Sequence, residues 1–471
     1  MRILGYALLG LLMVTGAARA ADKPAEKPEK AEKAEKAADT NGALAHLDFR
    51  EVIRGAKDKV FPAVVYIKCL QENMESGRKV SVEVAGSGVL ISAKGEVLTN
   101  WHVVEKAADV RCLLLDGRAM DAKVVGSDKD TDLALLQLQL PKDASPLPYA
   151  ALGDSDRLKE GDFVMAMGAP WGLSRSVSMG IISCARRFLP GHSQYSLWLQ
   201  TDASISPGNS GGPLVNTAGE VVGVNTRGIL FGGDVGFAVP SNTIRHIVSQ
   251  IRTSGKVDWS WTGLQLQPLK DFDRNMYFEG NEGVIVAETD PESPARRAGL
   301  QGRDRILRIG GRPVTAMTDE DLPAVRRLLG LLPKHQGVNI DLMRGDQLVT
   351  VVLQPREKGK VEGAELDCPR WDLTAREINQ FDNPDLYFYR DKGVFIYGVK
   401  EPGNAAVAGL RPMDIVVKID GKEVTSIEAV RALHKDTVAD VKSKHRIVFT
   451  VLRSGLLRQV VLDFSRDYSK E

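Results

Sequence analysis

"TDASISPGNSGGPLV", residues 201–215, sets Ser210 in a run of glycines with Pro207 and Pro213 on either side. A serine hydroxyl is a weak nucleophile until a base takes its proton, and the oxyanion its attack creates needs fixed donors. Gly208 permits positive φ and close backbone approach, which would let the Gly208 and Ser210 NH groups converge on one point as an oxyanion hole. The bland reading is a Gly-rich surface turn. Residues elsewhere in the chain decide between the two.

A nucleophilic serine needs a histidine, and the histidine needs a carboxylate to hold its tautomer and stabilise the imidazolium. The chain has 7 histidines, and His102 lies in "VLTNWHVVEK", just after a β-like run. Asp132 lies in "SDKDTDLALLQL", at the start of a strongly apolar strand. Singly, each also fits a structural role, as a satisfied histidine or a turn-capping aspartate. Their order, His then Asp then Ser, is that of chymotrypsin-type enzymes. The surroundings agree: "AVVYIKCL", "GSGVLIS", "GEVLTN", "DVRCLLL", "AKVVGS", "DLALLQLQL", "DFVMAMG", "GEVVGVNT" and "GFAVP" are short strand-like runs with turn residues between them. Spacing this dense predicts antiparallel β structure in closed barrels. A helix-like period over 43–59 precedes them, and a helix from Ser241 to Ile251 closes the unit. Gly208-Asn209-Ser210-Gly211-Gly212 also satisfies the G-x-S-x-G pattern of α/β-hydrolases, but that elbow must lead into a helix. Here it leads to "GEVVGVNT", a strand.

The 471 residues are enough for about three domains. Lys+Arg 62 against Asp+Glu 61 gives no global preference for nucleic acid or an anionic membrane. Residues 1–20, "MRILGYALLGLLMVTGAARA", combine Arg2, an apolar run from Ile3 to Val14 and a small-residue cleavage site, which reads as a signal peptide. The apolar core is short for a membrane span, so a retained anchor is the weaker alternative, and no later segment predicts a stable span. Residues 21–43, rich in Lys, Glu, Ala and Pro, read as a charged low-complexity tether. Cys69, Cys112, Cys184 and Cys368 form no Cys-x-x-Cys pair, so a zinc site is not expected. Three lie in apolar runs, as small buried residues do, although an oxidising compartment permits a bridge.

The remainder repeats. "EGVIVAETDPESPARRAGLQGRDRILRIGG" from Glu282 aligns with "KGVFIYGVKEPGNAAVAGLRPMDIVVKIDG" from Lys392, matching Gly283 to Gly393, Gly299 to Gly409, Asp304 to Asp414 and Gly311 to Gly421. The polar segment 357–368 reads as the linker between the two copies.

"TNWHVV", "DTDLALLQL", "DASISPGNSGGPLVN", "VGVNT" and "GFAVP", followed by two repeats, resemble the HtrA (Deg) family of exported serine proteases with PDZ domains. The resemblance runs from Leu44 to the end and is most specific around Ser210. It implies a mainly β chain: a chymotrypsin-like double barrel over 44–256, then two α+β PDZ domains over 259–356 and 369–466. It implies that His102 is the general base, Asp132 orients it, Ser210 attacks, and the Gly208 and Ser210 NH groups bind the oxyanion. No metal or organic cofactor is implied. Unfolded or misfolded proteins and C-terminal peptides are the implied partners. The implied setting is the periplasm, and the implied assembly is a homotrimer built through Leu44–Phe61, with cages beyond it.

Ser204, Thr226 and Leu230 are the S1 pocket candidates. Ser204 carries no charge, and a buried unpaired basic P1 residue would be costly, so small or medium aliphatic P1 residues are expected. Peptide capture as an added strand is expected at Gly283, Val284 and Ile285 in the first copy and at Gly393, Val394 and Phe395 in the second. Glu282 would repel a carboxylate where Lys392 would not. Trp101 beside His102 and Met179 before Gly180 depart from the usual family pattern. "TRGILFGGDVGF" reads as an activation loop or as an ordinary hairpin. The rival class is a chaperone or scaffold that binds unfolded chains with little proteolysis.

Overall fold

Short strands with buried faces on both sides must close on one another or cover their edges, and residues 64–240 take the first course. The computed structural model describes residues 48–169, 175–226, 235–271 and 281–468. β1 (Val64–Asn73), β2 (Val80–Leu90), β3 (Glu96–Thr99), β4 (Ala107–Leu113), β5 (Ala119–Asp128) and β6 (Leu133–Leu138) form a closed barrel in the order β1-β2-β3-β6-β5-β4. β7 (Phe163–Gly168), β8 (Ser176–Arg187), β9 (Trp198–Thr201), β10 (Pro213–Asn216), β11 (Val221–Thr226) and β12 (Gly236–Pro240) form a second, in the order β10-β11-β12-β9-β8-β7. "LALLQL" of β6 and "VVGVNT" of β11 are apolar without alternation because nearly every position in them is buried.

Helix α1 (Phe49–Val60) overlaps the predicted helical stretch and ends one residue past it. The short α2 (Trp101–Val104) follows β3 directly. Helix α3 (Ser241–Ser254) runs three residues past the predicted end, burying Ile244, Ile247, Val248 and Ile251 along one face. It stops at Gly255, whose φ of 71° is the left-handed cap that glycine favours.

β13 (Ser260–Trp261) pairs with a strand from Arg356 to Glu357, framing the first repeat. Inside it, β14 (Leu264–Gln267), β15 (Val284–Thr289), β16 (Arg305–Ile309), β17 (Arg312–Pro313), β18 (Val338–Arg344) and β19 (Gln347–Leu353) form a sheet ordered β14-β15-β16-β18-β19, with β17 on β16. Helices α4 (Pro294–Arg297) and α5 (Leu322–Gly330) accompany it. After β20 (Arg356–Glu357) come β21 (Glu365–Cys368), β22 (Leu373–Glu377), β23 (Val394–Val399), β24 (Ile415–Ile419), β25 (Lys422–Glu423), β26 (Arg446–Arg453) and β27 (Leu456–Asp463). They are ordered β21-β22-β23-β24-β26-β27, with β25 on β24.

The sequence repeat is a repeat of register. Val284 faces Ile306 as Val394 faces Val416, and the bulge between Ile306 and Arg308 recurs between Val416 and Lys418. The matching aspartates, Asp304 and Asp414, each take a two-pronged guanidinium, from Arg344 and Arg453 respectively. Each arginine also donates to a backbone carbonyl, Gly299 or Gly409.

Two expectations are corrected. Segment 357–368 is not a free linker: Glu357 pairs with Ser260, and Glu365–Cys368 form an antiparallel edge strand on β22. Leu366 and Cys368 of that strand are buried while Glu365 and Asp367 alternate with them on the other, half-buried face, and this two-residue period is hidden by the charged residues around it. Nor do β15 and β23 offer free edges. Ile285 is paired to Gln267 on one side and Arg305 on the other, and Phe395 to Arg376 and Ile415, so Gly283–Ile285 and Gly393–Phe395 cannot accept an added strand. The signal peptide and tether lie outside the described residues.

Candidate active site

β3 ends against β6, and the chain leaves it through Asn100 into α2, which carries His102 out of the first barrel. Asp132 reaches the same point from the β5–β6 turn, where its φ of 53° is an uncommon left-handed conformation for a residue with a side chain. Four hydrogen bonds hold that turn. Thr131 donates its NH and hydroxyl to the buried Asp128 carboxylate, Trp259 Nε1 donates to the same carboxylate at 3.0 Å, and Asn100 Nδ2 donates to the Asp132 carbonyl at 2.9 Å. Burial pushes the Asp128 carboxyl up to about 6.

The result is a preset pair. His102 Nδ1 lies 2.9 Å from both carboxylate oxygens of Asp132, and the His102 NH donates to Oδ1 at 3.1 Å. Thr226 Oγ1, from the end of β11 in the other barrel, donates to Oδ2 at 2.7 Å. A carboxylate receiving the Nδ1 side of the ring leaves Nε2 as the nitrogen that accepts a proton. Thr226, expected in the S1 pocket, is thus a third support of Asp132.

The Ser210 loop crosses between the barrels. Ser87 of β2 makes two contacts with it and one with the residue after β7: its NH donates to the Ser210 carbonyl at 2.8 Å, its hydroxyl donates to the Gly208 carbonyl at 2.6 Å, and the Ala169 NH donates to that hydroxyl. The glycines are required by proximity. A Cβ on Gly211 would come within 2.1 Å of the Ser87 carbonyl, and one on Gly212 within 2.1 Å of the Met167 carbonyl. Gly208 has φ 98°, and among the described residues neither its NH nor that of Ser210 has a hydrogen-bond partner. No hydrogen bond joins Ser210 Oγ to His102 among the described residues.

His102, Asp132 and Thr226 border a cavity of about 810 Å³ that also touches Trp101, Trp198 and Lys129. Its far wall comes from beyond the barrels: Lys358, Val361 and Phe381. Ser204 is not brought there. It is exposed, its carbonyl accepts from Ser178 Oγ at 2.6 Å, and its loop is anchored on β8 by Asp202 accepting the Ile181 NH at 2.7 Å. Ser204 therefore carries no argument about P1 charge. Leu230, like residues 227–234 of the expected activation loop, lies outside the described residues.

The four cysteines are free thiols, and burial pushes Cys69 up to about 11 and Cys112 to about 12, far from a reactive thiolate. Among the described residues no cluster of His, Cys, Asp or Glu has a metal-holding arrangement, and no helix is long and apolar enough to cross a membrane. Sequence reasoning missed Ser87, the role of Asp128 and the place of Lys129 in the cavity. Ser87 stands in "GSGVLIS" and the other two in the Asp132 segment, but only the fold brings each to the site.

A profile of the trypsin-like peptidase domain matches residues 86–224, and one of the PDZ domain matches residues 254–328. A probable periplasmic serine endoprotease DegP-like of Halomonas elongata is 36% identical over 382 residues, 79% of this chain and 77% of the relative. The periplasmic serine endoprotease DegP of Salmonella typhimurium is 34% identical over 364 residues, 76% of this chain and 73% of the relative. Among solved structures, the HtrA-type protease AlgW with tripeptide superposes with a TM-score of 0.58 at 32% identity, over 65% of this chain and 97% of that one. With its two chymotrypsin-like barrels and a matched PDZ module, the chain belongs to the HtrA/DegP family and is a serine endopeptidase.

Proposed function

We propose that Ser210 is the nucleophile, His102 its general base and Asp132 the residue that orients His102, working through an acyl-enzyme on unfolded or damaged proteins. One observation carries this reading: the imidazole Nδ1 held at 2.9 Å from a carboxylate that Thr226 and the His102 NH also grip. His102 takes the Ser210 proton as Oγ attacks the scissile carbonyl, and the imidazolium is stabilised by Asp132. The oxyanion is received by the Gly208 and Ser210 NH groups, each such donor being worth about 10²–10³ in rate. His102 then protonates the leaving amine, and water repeats the sequence on the ester. No nucleotide or metal enters these steps. Small or medium aliphatic P1 residues, export to the periplasm and a trimeric assembly belong to the same reading and rest on the family.

Both repeats are PDZ modules in this reading, the second supported by its shared register. Peptide addition belongs to β14, the outer strand of the first sheet, beside a cavity of about 460 Å³ lined by Gly263, Leu264, Arg326 and Leu329. Among the described residues Arg326 of α5 has no ion-pair partner, which suits a peptide carboxylate. The test is hydrolysis of unfolded casein by the chain from Ala21 onward, with chelator and without nucleotide, against Ser210→Ala. Wild-type cleavage with an inert variant that still binds casein is expected. Equal cleavage by both would remove Ser210 from the chemistry, and binding with no cleavage by either would favour the chaperone.

A further inference from the structure

The cavity beside His102 holds a cation that the proposed hydrolysis does not use. Lys129 sits in the same turn as Asp132, with Nζ 5.1 Å from the Trp101 ring centroid, 2.6 Å from Glu362 Oε1 and 3.5 Å from Asp382 Oδ1. Both neutralising carboxylates come from the cover, Glu362 from the segment before β21 and Asp382 from the loop after β22. The barrel's own acids are engaged elsewhere: Asp130 with Lys358 at 2.6 Å, Asp132 with His102, and Glu105 beside Lys106 at 4.0 Å. On the cover, Asp382 is shared with Arg376 at 2.7 Å, and Glu365 with Lys106 and Arg376. Glu362 has no other cation within ion-pair distance among the described residues, so its contact with Lys129 is the most readily exchanged.

Val361 and Phe381 line the same cavity as His102 and Lys129, and a substrate side chain that takes the place of Glu362 changes what neutralises the lysine. An acidic substrate side chain restores the pair, a neutral one leaves the lysine without it, and a basic one adds repulsion. We propose that Lys129 is a specificity-determining residue that selects an acidic side chain near the scissile bond, with Glu362 filling that place when the cleft is covered. This rests on the hydrolytic reading of Ser210. The pair is partly exposed, so a three- to tenfold preference is expected rather than a strict requirement.

The test uses the full chain from Ala21 carrying Glu362→Gln, so that the internal competitor is removed. Quenched peptides differing only in Glu, Gln or Lys at each of the three positions on either side of the scissile bond are compared by kcat/KM. At one position Glu should exceed Gln three- to tenfold, with Lys slowest, and adding Lys129→Glu should invert the order. That variant keeps the Lys129 carbonyl that accepts the Asp132 NH. Retained turnover with equal rates for Glu, Gln and Lys at every position overturns the proposal. So does a Glu preference that survives Lys129→Glu. If no peptide is cut more than by Ser210→Ala, the hydrolytic reading falls and this one with it.

Discussion

The two C-terminal sheets share strand order, register, a bulge and an Arg–Asp fork, yet they treat their outer strands in opposite ways. In the first sheet β14 has one strand partner and borders a cavity lined by Arg326, which has no ion-pair partner among the described residues, and by Phe381, Pro384 and Tyr387 of the second copy. In the second, β21 covers the corresponding strand β22, and the sheet is held against the protease barrels. Thr374 Oγ1 donates to the Met74 carbonyl at 2.6 Å, Tyr397 hydroxyl to Glu75 at 2.9 Å, and Lys106 pairs with Glu365. The same fold thus leaves its outer strand without a strand partner in the first copy and covers it with β21 in the second. What lies along the edge, rather than topology, separates them.

The largest test of this contrast is in the cores. Leu373 pairs with Val399 as Leu264 pairs with Thr289, which sets Trp371 at the place of Thr262. Trp371 is fully buried and meets Phe449 and His434 edge-on. Trp371→Ala should cost about 3–5 kcal/mol in urea unfolding of the second sheet, whereas Thr262→Ala should cost less than about 1. Equal losses would mean that the two cores are built alike.

A second contrast is pH. Burial pushes the His434 imidazole down to about 4, and its Nε2 is buried without a partner among the described residues, whereas the helix LPAVRRLLG of the first sheet contains no histidine. The folded pKa is depressed, so below the ordinary value of 6.5 the unfolded chain binds the extra proton. The stability this contributes is present above 6.5 and is lost as pH falls towards 4. Allowing for a half-buried ring, about 1–2 kcal/mol should disappear across that window. His434→Gln should flatten the urea midpoint of the second sheet against pH, and an unchanged slope would assign the sensitivity to other groups.

The smallest effect expected is at the outer strand of the first sheet. Arg326→Ala should weaken binding of a free-acid peptide about three- to tenfold in fluorescence anisotropy and leave its C-terminal amide almost unchanged. Equal weakening of both would show that Arg326 shapes the groove without reading charge.

Much of the proposed active centre was legible because the chemistry proposed for it needs particular residue types in compact motifs. Ser210 with its glycines, His102 after a strand and Asp132 before one are all readable in single segments. GVIV and GVFI were misread as sheet edges because they have the apolar look of strands, and apolarity marks the middle of a sheet as readily as its margin. Segment 357–368 was misread because charge masked a four-residue strand.

By itself the sequence determined the two barrels, the doubled module and the identities around Ser210, because strand periodicity, close-packed glycine and repeat spacing are local properties. Only the tertiary structure decided which strand is an edge, that Thr226 supports Asp132, and that Glu362 lies on Lys129, 233 residues away. Edge exposure and ion pairing depend on what the folded chain brings alongside, and that is not written in the neighbouring residues.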